Sequence, residues 1–226
     1  MWRDTAERFE WQGEAVLFDL DGTLVDSGAS VLRAWTWLAD ELNVPFREFA
    51  PYVHGIPAGQ VLAEVVGGLG EAEHAEAAEQ LLARQAADSA DVVALPGAVE
   101  ALGGLPSHRW AIVTSGDLRL ASARIVAAGL PRPRVLITAD DVVTGKPDPA
   151  PYLLAAARLG AHPERCLVIE DAEAGVSAGL AAGMTVVGVL SSQDDLAGTR
   201  YTVADLSELH FAADRLAVRV GVDATP

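Results

Sequence analysis

The stretch AVLFDLDGTL, residues 15–24, is the segment from which the fold is best read. Its opening residues are apolar without alternation, the pattern of a strand buried on both faces, and it runs into Asp19, Asp21 and Gly22, which are polar and turn-forming. Runs of the same kind recur downstream as WAIVTS (110–115), RVLITA (134–139), CLVIED (166–171) and TVVGVL (185–190). Between them LRLASARIVAAG (118–129), APYLLAAARLG (150–160) and AEAGVSAGLAAG (172–183) carry Ala, Leu and Val at helical spacing, and each closes on glycine, a helix stop signal. Strand and helix alternating in this way predict an α/β fold, with βαβ units around a mostly parallel, Rossmann-like sheet that has helices on both faces.

Residues 28–93 break the rhythm. VLRAWTWLADELNV, QVLAEVVGGL and EAEHAEAAEQLLARQAAD read as helices, with no strand pattern among them. The expected organisation is therefore a core domain built from residues 1–27 and 94–226, interrupted by a helical domain at 28–93. Trp35 and Trp37 are expected to pack that inserted domain. EAEHAE reads as a solvated helix face, so its His74 is a poor metal ligand. The segment after residue 205 is expected to add a helix or an edge strand.

Half of the 226 residues are hydrophobic, enough to bury a full core. No run approaches the ~20 apolar residues of a membrane-spanning helix, and the first residues lack the apolar region of a signal peptide, so a cytoplasmic protein is expected. The formal net charge of −16 argues against nucleic acid or an anionic membrane as a partner, since both require clustered Lys and Arg. The single cysteine, Cys166, sits in the apolar run CLVIE and reads as a small core residue. Of the sixteen Lys and Arg residues only Lys146 is a lysine, which suggests that its position needs a compact, flexible point charge rather than a guanidinium.

In open α/β sheets ligands bind beyond the carboxyl ends of the strands. The predicted strand ends supply Asp19 and Asp21, Thr114 and Ser115, Lys146 from the loop after RVLITA, and Glu170 and Asp171. A carboxylate at Asp19 can attack phosphorus and divide a hard hydrolysis into two easier steps. Asp21 can protonate the leaving oxygen and then deprotonate water. Gly22 permits a tight turn with N–H groups near a phosphate. Clustered carboxylates repel one another unless a cation intervenes, and Mg²⁺ prefers hard oxygen ligands, so Asp19, the Asp21 carbonyl and Asp171 form a plausible cage. Lys146 and the hydroxyl and N–H groups of Thr114, Ser115 and Gly116 would then hold the phosphoryl group. Taken one at a time, Asp21-Gly22-Thr23 reads equally as a turn, and the other two clusters as helix caps.

Together these residues resemble the four motifs of the haloacid dehalogenase superfamily: DLDGT at 19–23, TSG at 114–116, GKPDP at 145–149 and EDAEAG at 170–175. The resemblance implies that the core is of that family's type and that segment 28–93 is its C1-type cap. It further implies Asp19 as nucleophile, Asp21 as acid and base, Lys146 as stabilising cation and Asp171 as metal ligand, with Glu170 in the metal's outer shell or paired with Lys146. A finer resemblance is to the branch of sugar- and polyol-phosphate phosphatases. It implies a small phosphorylated metabolite as substrate, and makes the cap loop HGIPAGQ (54–60) substrate-facing through His54 and Gln60. The nearest alternative is a β-phosphoglucomutase-like mutase, which resembles related enzymes in needing a cap cation for a second phosphate. HGIPAGQ has no Arg or Lys, although Arg47 and Arg84 lie nearby in sequence. A haloacid dehalogenase would need neither Asp21 nor a metal, a phosphonatase would be expected to carry a cap lysine, and a non-catalytic binding module would not need the full set of chemical residues. A monomer or a weak dimer fits the sequence equally.

Overall fold

The computed structural model describes residues 10–53, 55–191, 195–212 and 217–220. Along the chain, strands β1 (Glu10–Gln12), β2 (Ala15–Phe18) and β3 (Val25–Asp26) precede helices α1 (Gly28–Glu41), α2 (Phe46–Phe49), α3 (Ala58–Val65) and α4 (Glu71–Ala87). Then follow β4 (Val93–Ala94), α5 (Ala98–Gly104), β5 (Trp110–Val113), α6 (Leu118–Ala127), β6 (Leu136–Ile137), α7 (Ala150–Leu159), β7 (Cys166–Glu170) and α8 (Glu173–Ala181). Strands β8 (Thr185–Val189), β9 (Tyr201–Val203), β10 (Leu209–Ala212) and β11 (Ala217–Val220) complete the described chain.

Six strands pair in the order β6-β5-β2-β7-β8-β9, and every pairing is parallel. The strand carrying AVLF is thus in the interior of the sheet, and its four residues are all buried. Alternate side chains serve opposite faces. Val16 and Phe18 join Ile112, Leu167, Ile169 and residues of α5 and α6 in one apolar cluster. Leu17 joins Val113, Val168 and residues of α7 and α8 in another. An unalternating apolar run is what a strand covered by helices on both sides requires. Cys166 belongs to the second cluster, and burial pushes its thiol up to about 12, which leaves it a core residue without nucleophilic character.

One expectation changes and another is narrowed. RVLITA yields only a two-residue strand, because β6 is the sheet edge and Thr138 already turns the chain into a short 3-10 segment. Of the helix or edge strand expected after residue 205 the chain forms strands, β10 and β11, which pair antiparallel with β1 into a second, three-stranded sheet. Trp11, Leu209 and Val218 of that sheet bury against the first apolar cluster, which explains why a stretch as short as Glu10–Gln12 is held as a strand.

Helices α1–α4 lie between β3 and β4, which pair with each other antiparallel and so bring the two ends of the helical segment together. The helices share their own apolar cluster around Val31, Trp35, Leu38, Phe49, Leu62 and Leu81. Trp35 packs on Phe49 with ring centroids 5.3 Å apart, and Trp37 lies under the Arg84 guanidinium at 4.7 Å. Nε2 of His74 sits 2.9 Å from the Val66 carbonyl, a local tie between α4 and the end of α3. Among the described residues no helix is long and apolar enough to cross a membrane.

Gly97 marks where the core is least forgiving. It has φ 79°, and a Cβ there would lie 2.3 Å from the Ser207 nitrogen and 2.4 Å from the Leu206 carbonyl carbon. Strain and overlap with backbone together cost about 2–3 kcal/mol. Gly97→Ala is expected to lower the thermal midpoint by roughly 4–10 °C; an unchanged melting curve would show that this junction is looser than described.

Candidate active site

The parallel sheet places the ends of β2, β5 and β7 side by side, and the polar residues just past those ends meet there. Asp19 follows β2, with its N–H donated to the Ile169 carbonyl at 3.0 Å. Lys146 enters from the loop between β6 and α7 and is only 1% exposed. Its ammonium donates to Asp19 Oδ1 at 2.6 Å, to Glu170 Oε1 at 2.6 Å and to the Val113 carbonyl at 3.0 Å. All three ammonium protons therefore have acceptors, as a buried cation demands.

Glu170 is an anchor for this lysine. Its Oε1 also accepts from the Tyr152 hydroxyl at 2.9 Å, and its Oε2 accepts from the N–H groups of Asp171 and Ala172 at 2.9 and 3.1 Å. The last two bonds place the carboxylate at the start of α8, where no side-chain cap is present and negative charge is favoured. Gly175 makes room for it: a Cβ there would lie 1.6 Å from Glu170 Oε1. The glycine in EDAEAG is thus explained by packing against the carboxylate five residues earlier.

Asp19, Glu170 and Asp171 bring carboxylate oxygens within 4.8 Å of one another, an arrangement able to hold a metal ion. Both oxygens of Glu170 are already engaged, so Asp19 and Asp171 are the carboxylates best placed to serve as ligands. Thr23 Oγ1 approaches Asp171 Oδ1 at 3.4 Å. Burial, opposed by Lys146 and reinforced by Glu170, Asp171 and Asp21, pushes the Asp19 carboxyl well above its ordinary range. Burial works against the Lys146 ammonium, yet Asp19 and Glu170 together outweigh it and hold the lysine above its ordinary value. A buried carboxyl of this kind is kept ionised by positive charge, and the hard oxygens around it suit a hard divalent cation.

The remaining predicted residues divide. Gly22 has φ 83°, as a tight turn requires, but its N–H is donated to the Val25 carbonyl at 2.8 Å, so it shapes the loop rather than offering a donor. The Gly116 N–H is similarly donated to Thr114 Oγ1 at 3.1 Å. Helix α6 is capped one residue later, by Asp117, whose side chain accepts from the Leu120 N–H at 2.7 Å. The Ser115 hydroxyl donates to the Gly55 carbonyl at 3.0 Å and ties the core loop to the helical segment. Gly55 itself lies against Ala172, where a Cβ would come within 2.6 Å of the alanine Cβ. Gln60 is exposed on α3 and does not line the site, while the expectation for His54 lies outside the described residues.

Between the strand ends and the helical segment is a cavity of about 60 Å³. Asp19, Asp21, Thr114, Ser115, Gly116 and Arg124 form its core side, and Val31, Trp35, Val53, Ile56, Leu82 and Gln85 its helical side. This volume is far below the ~300–1,000 Å³ typical of small-molecule sites. Arg124 and Gln85 were not foreseen. Arg124, in α6, pairs with Asp21 and donates to Gln85 Oε1 of α4 at 2.5 Å, while the Ser27 hydroxyl donates to the other Asp21 oxygen at 2.7 Å. Arg47 is exposed beside Glu48 and Arg84 lies on Trp37; neither lines the cavity.

The family model for haloacid dehalogenase-like hydrolases matches residues 14–183, and the chain belongs to that family of enzymes. Hexitol phosphatase A of Escherichia coli (strain K12) is 44% identical over 183 residues, which are 79% of this chain and 83% of that protein. The 2-deoxyglucose-6-phosphate phosphatase 1 of Saccharomyces cerevisiae is 33% identical, with 88% of this chain and 91% of that protein covered. Among solved structures, a hydrolase from Pseudomonas syringae superposes with a TM-score of 0.76 at 32% identity, covering 85% of this chain and 93% of that one.

Gly175→Ala tests the anchor. The new methyl group has to displace Glu170 and, with it, Lys146, so activity toward any substrate is expected to fall by about a hundredfold or more. Retention of activity would show that Glu170 does not hold the lysine in place.

Proposed function

We propose that this haloacid dehalogenase-like hydrolase is a Mg²⁺-dependent phosphatase that cleaves a small sugar or polyol phosphate, with Asp19 as nucleophile. The observation that carries the reading is the buried ammonium of Lys146, bonded at once to Asp19 and to the anchored Glu170. The phosphatase names of the similar proteins support the substrate class. Asp19, Asp171 and the Asp21 carbonyl would hold the metal, which when bound supplies charge neutralisation for the phosphoryl oxygens and for the crowded carboxylates.

Asp19 attacks phosphorus with a carboxylate oxygen, the bond from phosphorus to the ester oxygen breaks, and Asp21 gives its proton to the departing alcohol. Asp21 then takes a proton from water as that water attacks phosphorus, releasing inorganic phosphate and restoring Asp19. Lys146 fixes one oxygen of Asp19 and adds positive charge beside the phosphoryl group. One oxygen of Asp21 is engaged by Ser27 and the other by Arg124, so the Ser27 bond has to give way to the ester oxygen as substrate enters, while Arg124 stays on the other oxygen. Helices α1–α4 act as a cap that closes over the site, with Ser115 to Gly55 as one of its latches.

A mutase would have to hold a second phosphate in the same cavity. Among the described residues the only cation lining it is Arg124, which is already paired with Asp21, and this favours hydrolysis.

Turnover of p-nitrophenyl phosphate and of a panel of sugar and polyol phosphates with Mg²⁺ is expected; no turnover of any of them would defeat the proposal. Asp19→Asn should lower kcat by on the order of a thousandfold or more. Lys146→Arg should lose about a hundredfold despite keeping the charge, because a guanidinium does not fit three acceptors arranged around one ammonium. Near-normal rates in either variant would contradict the assigned roles. Saturating Mg²⁺ should raise the thermal midpoint of the wild type by about 5–10 °C, and Asp171→Asn should abolish that shift. An equal shift in the variant would place the metal elsewhere.

A further inference from the structure

Arg124 and Gln85 have no task in the reaction as derived, yet both are buried at its edge. Arg124 is 2% exposed and Gln85 4%, and they line the same cavity as Asp19 and Asp21. They come from opposite sides, Arg124 from α6 of the core and Gln85 from α4 of the helical segment. A buried guanidinium is costly unless its charge and its donors are answered. The charge is answered by Asp21, and one donor by Gln85 Oε1 at 2.5 Å. One donor is left over: Arg124 Nε is buried with no hydrogen-bond partner among the described residues.

An ion pair that served packing alone would be expected to satisfy its donors, because an orphaned buried N–H costs about 1–3 kcal/mol. Here the unanswered donor belongs to the guanidinium that pairs with Asp21, the acid of the proposed reaction. Val31, Trp35, Leu82 and Leu120 add apolar wall to the same cavity. Since the guanidinium charge is already matched by a carboxylate, what the pair offers a ligand is hydrogen bonding rather than net charge. Neutral oxygen acceptors fit that offer; a second anionic group would have to compete with Asp21.

We propose that Arg124 and Gln85 are the specificity-determining pair for the leaving group, binding hydroxyl oxygens of a neutral polyol on the carbons next to the phosphate ester. The inference rests on the phosphatase reading and narrows it to monophosphates of uncharged polyhydroxy compounds. Because Gln85 belongs to the helical segment and Arg124 to the core, a hydroxylated leaving group would bind both sides of the cavity at once, whereas a plain alkyl group would bind neither through hydrogen bonds.

The test is the ratio of kcat/KM for glycerol phosphate to that for propyl phosphate, a pair with the same carbon chain that differs in hydroxyls. The wild type is expected to favour glycerol phosphate by about tenfold or more, and Arg124→Met and Gln85→Met should each cut that ratio by about tenfold, whatever happens to the absolute rates. If Arg124→Met fails to fold, Gln85→Met carries the test alone. A wild type without the preference overturns the proposal, as do variants in which both substrates lose equally and the ratio is unchanged, since the pair would then merely hold Asp21 or the fold. Absence of wild-type turnover on either substrate and on p-nitrophenyl phosphate would instead remove the phosphatase reading beneath it.

Discussion

A single buried ammonium organises this molecule. Lys146 lies where β2, β5 and β7 end, and it accepts a position with almost no access to water because Asp19, Glu170 and the Val113 carbonyl each take one of its protons. Breaking a buried pair of this kind leaves an uncompensated charge and costs about 3–5 kcal/mol, so the surrounding structure has to keep all the partners in register. Tyr152 and two backbone N–H groups fix Glu170, and Gly175 keeps the space that Glu170 occupies. What looks like a list of motif residues is one connected hydrogen-bonded unit spanning three strands and the loop before α7.

The same unit reconciles a chain of net charge −16 with an anionic substrate. Positive charge is concentrated at one point, by Lys146 and by the metal proposed for Asp19 and Asp171, while burial lowers the dielectric screening that would otherwise weaken it. The helical segment contributes apolar walls and Gln85, and its Gly55 carbonyl receives the Ser115 hydroxyl of the core. The chemistry is thus supplied by the sheet edge, and the proposed discrimination among leaving groups arises where the two parts meet.

Much of this was legible in the residues themselves. Unalternating apolar runs gave the buried strands because covering a sheet on both faces leaves no polar positions, and the lone lysine among fifteen arginines marked the position that needs a compact cation. Other features were hidden for identifiable reasons. Arg124 was one arginine among many on a helix of ordinary spacing, and only tertiary packing shows that it meets Asp21 and Gln85. The strand Glu10–Gln12 is too short to announce itself, and it exists because Ala217–Val220, far along the chain, pairs with it. Gly22 and Gly116 were read as phosphate donors on the strength of their loops, yet local backbone and side-chain acceptors take their N–H groups. Gln60 was assigned from its loop alone, and the helix that begins at Ala58 carries it to the exposed surface.

The central claim is that Asp19, held by Lys146, becomes covalently bonded to phosphorus during turnover. The most direct measurement is rapid acid quenching of the Mg²⁺-loaded enzyme with a hydrolysable phosphomonoester, followed by borohydride reduction and peptide mass analysis. The account predicts reduction of one side chain, Asp19, to homoserine, dependent on substrate and metal. Product formation without any reducible acyl phosphate, or trapping at Asp21 or Asp171 instead, would contradict it.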